Sequence, residues 1–231
     1  PPYFQTVNSR ASSSKSYILF GARGTGKSAT RLALYKDLWA RAERGEKVPL
    51  AVMLDSYATI LRDGLEAVST RAFVVEIAYR TIEALLLWLS ALPDDKREAH
   101  LQTLPESDEK LLVTFVARFY LARPEAVREL TAKEVMTVLG QAWTSRTLMW
   151  MSKKWNAVAA LVATLANVIA QKASGVDAKI DSNLADILKS DAAAWDEGIY
   201  PVAVLTKLVE VARAFEFQGI VVLVDKVDET P

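Results

Sequence analysis

Gly21-Ala22-Arg23-Gly24-Thr25-Gly26-Lys27-Ser28 fits the phosphate-binding loop pattern G-x-x-x-x-G-K-[ST] at every fixed position. Its flanks fit as well. Tyr17-Ile18-Leu19-Phe20 leads in as a short apolar run and reads as a buried strand. A helical pattern over residues 28–44 leads out. Such a loop works where a strand turns into a helix, because the backbone N–H groups of the turn and of the helix start then converge on one point.

Each residue type has a physical task. Glycines let the backbone reach conformations that side chains forbid, so its N–H groups can close around phosphate oxygens. The Lys27 ammonium is placed to meet the β- and γ-phosphates, and the Ser28 hydroxyl to meet Mg²⁺. The helix N-terminus adds positive potential. The set expected to hold ATP is Gly21, Ala22, Arg23, Gly24, Thr25, Gly26, Lys27, Ser28 and Ala29.

A phosphate loop needs an acid for the metal. Gly219-Ile220-Val221-Val222-Leu223-Val224-Asp225-Lys226-Val227-Asp228-Glu229 supplies one near the far end of the chain. Five consecutive apolar residues, mostly β-branched, followed by an acid, read as a buried parallel strand ending in a carboxylate. This is the Walker B pattern. Ser28 and Asp225 are the expected Mg²⁺ residues. Glu229 is the candidate for polarising the attacking water, with Asp228 as its rival, and Lys27 is the second catalytic candidate.

Together the two motifs resemble the AAA+/STAND class of P-loop ATPases, and within it the prokaryotic ATPases related to origin-recognition proteins, several of which occur in anti-phage defence. The resemblance covers the residues around the two motifs. It implies an α/β fold, a P-loop core with a parallel sheet, and the use of ATP and Mg²⁺ for hydrolysis. It also implies assembly with further copies, one of which lends an arginine to its neighbour's site. Proteins of this type usually carry glutamate directly after the Walker B aspartate. Here Lys226 stands there, which sets hydrolysis by Glu229 on weaker ground than metal binding by Asp225.

Composition narrows the classes. The 231 residues suffice for one sizeable core, or for one core and a subdomain. Lys plus Arg and Asp plus Glu are equal at 28 each, so no dedicated nucleic-acid surface is announced, and nucleic acid stays open as a partner. There is no cysteine and a single histidine, His100, which argues against disulfides and zinc sites. His100 falls in a charged stretch and reads as an exposed loop residue. No charged-then-apolar leader follows Pro1, so the cytoplasm is the expected location. A P-loop sheet normally continues past Walker B, so the core is expected to be incomplete at the C-terminus and the chain to be part of a larger protein.

Most of the chain lies between the motifs. Val48-Pro49-Leu50-Ala51-Val52-Met53-Leu54 reads as a second core strand. Residues 71–92 read as a helix with Phe73, Ile77, Ile82, Leu85, Leu86 and Leu89 on its apolar face, ended by Pro93. Residues 111–121 form another, stopped near Pro124. Residues 131–139 form a third, with Thr131 and Glu134 as a capping box. Pro201 opens a last helix with Val202, Leu205, Leu208, Val209, Ala212 and Phe215 on one face. This gives three parts: residues 1–93 as the first part of the core, 94–190 as a large helical insertion, and 191–231 as the return to the core.

The insertion is the expected contact region for another subunit, a partner protein or a ligand. Within it, Trp143, Trp150 and Trp155 cluster. The alanine-rich residues 155–170 are bracketed by lysines, yet they are too short and too weakly apolar to favour a membrane span. Three functions compete. The first is an ATPase engine driving conformational change or assembly. The second is a nucleotide-gated scaffold with little or no hydrolysis. The third is a small-molecule kinase, which ranks last because no arginine-rich lid is visible.

Overall fold

Leu50–Leu54 (β1) and Ile220–Val224 (β2) pair in parallel, in a register running from Leu50 opposite Ile220 to Leu54 opposite Val224. A computed structural model describes residues 24–61, 64, 66, 68–120, 122–140 and 199–225, with Gln5 in isolation. Over these residues the chain is a mixed α/β structure, mostly helical, built on this two-stranded sheet. The helices are α1 (Lys27–Glu43), α2 (Thr70–Ala91), α3 (Asp94–Gln102), α4 (Glu106–Phe115), α5 (Glu125–Gly140) and α6 (Ile199–Ala214), with a π-helical turn at Val116–Tyr120.

β1 is buried at all five positions. An unbroken apolar strand needs cover on both faces, and α1 and α2 both pack against it. β2 departs from the expectation of a buried strand. Its residues are half-buried, and Val224 is 47 % exposed. β1 lines only one of its edges, and no other strand pairs with it among the described residues.

α2 is the central element. The Ser69 side chain accepts a hydrogen bond from the Ala72 N–H and starts the helix. Pro93 follows just past its end. Residues 81–89 are all buried, so the helix is enclosed rather than laid on the core by one face. Phe73 and Ile77, expected on that face, are only half-buried. Ile82, Leu85, Leu86 and Leu89 are buried as expected. Leu111, Leu112, Phe115, Val116, Phe119, Tyr120 and Met136, from the first half of the expected insertion, share one hydrophobic cluster with α2 and α6.

The enclosed helix carries charge inward. Arg80 Nε donates to Glu76 Oε1 at 3.0 Å and Arg80 Nη1 to Glu83 Oε2 at 3.4 Å. Arg123 Nη2 reaches the other Glu76 oxygen at 2.8 Å. Tyr79 Oη donates to Glu83 Oε1 at 3.0 Å, and Thr131 Oγ1 joins the same oxygen. Two arginines thus balance two glutamates, and nearly every polar atom has a partner, which is the condition for such a cluster to be tolerated inside. Burial above all pushes the Glu83 carboxyl above its ordinary value, against the opposing pull of Arg80.

Three further expectations need correction. Thr131 does not cap a helix. It lies inside α5, buried, where its hydroxyl oxygen is also within hydrogen-bond distance of the Val127 and Arg128 carbonyls. The helix starts six residues earlier because Pro124 sets its first turn, its carbonyl accepting from the Val127 and Arg128 N–H groups. His100 is not in a loop. It sits in the last turn of α3, edge-on to Trp88 with ring centroids 5.3 Å apart. On α6 the buried stripe is Val204, Leu208, Val211 and Phe215, while Val202 is 64 % exposed. The stripe is fixed by contact with α2 and α4, a tertiary fact that periodicity alone does not carry. The tryptophans Trp143, Trp150 and Trp155 and the alanine-rich residues 155–170 lie outside the described residues. Among those described, no helix is long and apolar enough to cross a membrane.

Candidate phosphate and metal site

The start of α1 and the carboxyl ends of β1 and β2 meet at one end of the sheet. Gly26 sits at the N-terminal boundary of α1 with φ 85° and ψ 17°, the left-handed region that glycine enters without penalty. Gly24, at φ 84°, is left-handed too. The Gly26 carbonyl accepts from the Thr30 N–H at 2.8 Å and from the Thr30 hydroxyl at 2.9 Å, which locks the first turn. Gly26 offers no side chain to cap the helix, and no acid lies in the first turn. No acid of α1 itself therefore offsets the positive end of its N-terminal N–H groups, a setting that favours an anion.

Ser28 and Asp225 come together here. Ser28 Oγ donates to Asp225 Oδ1 at 3.5 Å, across 197 positions of sequence. Asp225 follows β2 directly, and its N–H bonds to the Leu54 carbonyl at 3.2 Å, so the parallel ladder itself aims the residue. Tyr57 Oη donates to the Asp225 carbonyl at 2.8 Å. Burial first, and the Asp225 charge second, push the Tyr57 phenol above its ordinary value, which keeps it a donor. Arg31 Nη2 lies 2.9 Å from Asp225 Oδ2. The hydroxyl and the carboxylate are the hard oxygen donors that Mg²⁺ takes from protein when phosphate and water supply the rest. Their meeting fits that ion.

Among the expected site residues, Gly24, Thr25, Gly26, Lys27, Ser28 and Ala29 lie on this end of α1, and Asp225 faces them. Gly21, Ala22, Arg23 and the run Tyr17-Ile18-Leu19-Phe20 lie outside the described residues, as do Lys226, Asp228 and Glu229. Arg31 and Tyr57 are additional members of the site that the motif patterns do not name. Arg31 stands three residues after Ser28, the spacing that places two side chains on one helix face; Tyr57 carries no such signal. No group of three or more His, Cys, Asp or Glu side chains that could hold a metal ion occurs among the described residues; Ser28 and Asp225 are the metal candidates by motif and by their contact. Comparison of the chain with protein-family models, with curated proteins and with solved structures finds no match.

Proposed function

We propose that the chain is an ATP-binding and hydrolysing module of the P-loop type, related to AAA+/STAND ATPases, which couples ATP to conformational change or assembly. The observation that supports it most is the contact of Ser28 with Asp225. Two motifs from opposite ends of the sequence, each with a defined part in holding Mg·ATP, are neighbours at the carboxyl end of a parallel strand pair. The left-handed glycines and the uncapped start of α1 support the same reading.

In this proposal Gly21, Ala22, Arg23, Gly24, Thr25, Gly26 and Ala29 wrap the phosphates with backbone N–H groups. Lys27 neutralises the β- and γ-phosphate charge, and Ser28 and Asp225 hold the metal. Mg²⁺ held by these two residues would supply charge neutralisation for the nucleotide phosphates. Glu229 orients water and accepts its proton. Further copies of the chain are the expected partners. The likeness of both motifs to origin-recognition-like ATPases extends the proposal to prokaryotic anti-phage defence.

A second reading, a nucleotide-gated scaffold, is favoured by one basic residue next to Asp225 in sequence and by another that pairs with it in space. Lys226 follows it directly in sequence, and Arg31 pairs with its carboxylate. A multiple-turnover phosphate-release assay separates the readings. The ATPase reading expects Mg-dependent release by the wild type and its loss in Lys27→Ala. ATP binding without release selects the scaffold. Absence of both binding and release overturns the two together.

A further inference from the structure

Arg31 and the metal have the same target. Asp225 offers two carboxylate oxygens. Ser28 Oγ addresses Oδ1 at 3.5 Å, and Arg31 Nη2 addresses Oδ2 at 2.9 Å. Both come from one face of α1. The pair is largely buried, with side chains 16 % and 19 % exposed. An arginine facing a carboxylate usually engages it through two parallel hydrogen bonds. Here a single nitrogen does so, and Arg31 Nε and Nη1 are buried with no hydrogen-bond partner. The guanidinium is therefore only partly satisfied, and its buried donors stand at a cost that a better arrangement would remove.

A positive group in ion-pair contact with a metal-binding carboxylate lowers that carboxylate's attraction for a dication. In a partly buried setting, charge effects at this range are large. We infer that Arg31 sets the metal requirement of the site: it competes with Mg²⁺ for the Asp225 carboxylate, and the ion must displace it to bind. This rests on the Mg·ATP reading proposed above. The effect has a definite sign. If Arg31 served instead to hold Asp225 ready for the ion, removing it would weaken metal binding.

The test is a Mg²⁺ titration of the purified chain with a fluorescently labelled ATP, starting from EDTA-treated protein. Arg31→Gln should lower the half-saturating Mg²⁺ concentration roughly tenfold. Arg31→Lys, which keeps the charge, should stay near the wild type. Because two of the arginine's nitrogens lack partners, Arg31→Gln is expected to melt cooperatively. If it does not, Arg31→Met carries the same test, with the same expected shift. A midpoint that is unchanged or raised in the charge-free variant overturns the role of Arg31 while leaving the nucleotide site standing. Failure of the wild type to bind labelled ATP at any Mg²⁺ concentration overturns the site itself, and the role of Arg31 with it.

Discussion

Gly26 is where loop becomes helix, and its φ of 85° is a conformation that a Cβ makes costly. Gly26→Ala is expected to destabilise the fold by about 1–2 kcal/mol and to weaken ATP binding well beyond that, because the first-turn N–H groups lose their aim. Denaturant midpoints and labelled-ATP affinity, measured on one preparation, check both. The glycines, Lys27 and Ser28 were legible in the sequence because the pattern fixes residue type and spacing together. Asp225 was legible because an unbroken apolar run ends on it. Arg31 and Tyr57 were not, since their membership depends on where β2 places Asp225. That placement is made by the ladder between two strands distant in sequence.

At the scale of elements, α2 shows why periodicity misled. An enclosed helix has no single apolar face, and four of its buried positions are polar: Glu76, Arg80, Thr81 and Glu83. Partners such as Arg123 and Thr131 come from other parts of the chain, so neither the burial of Glu83 nor the interior place of Thr131 is visible locally. The cluster has a pH signature. Glu83 is held above its ordinary value by burial. A group raised in this way favours the folded state when protonated, and that contribution is lost as pH rises through its native value. Wild-type stability should therefore gain from Glu83 as pH falls from neutral toward the ordinary glutamate range. Glu83→Gln should lack that gain. Chemical denaturation of both proteins at two pH values checks this. An identical pH dependence in the two would mean that Glu83 is ionised in the fold as readily as in the unfolded chain.

For the whole molecule, the sheet matters because it brings two distant segments together at one candidate site. β1 and β2 run parallel, so their carboxyl ends lie side by side, and α1 starts at that same end. The α/β character and the parallel pairing could be read from two apolar runs without alternation. The half-exposure of β2 could not, because it depends on which strands flank it. The central claim is that Ser28 and Asp225 act on one metal ion. It is tested most directly by Mg-dependent ATP affinities of Ser28→Ala, Asp225→Asn and the double variant, compared with the wild type. Two ligands of one ion should be coupled, so that the double variant loses less than the sum of the single losses, by about 0.5 kcal/mol or more. Losses that simply add, or single variants that bind Mg·ATP as the wild type does, would contradict it.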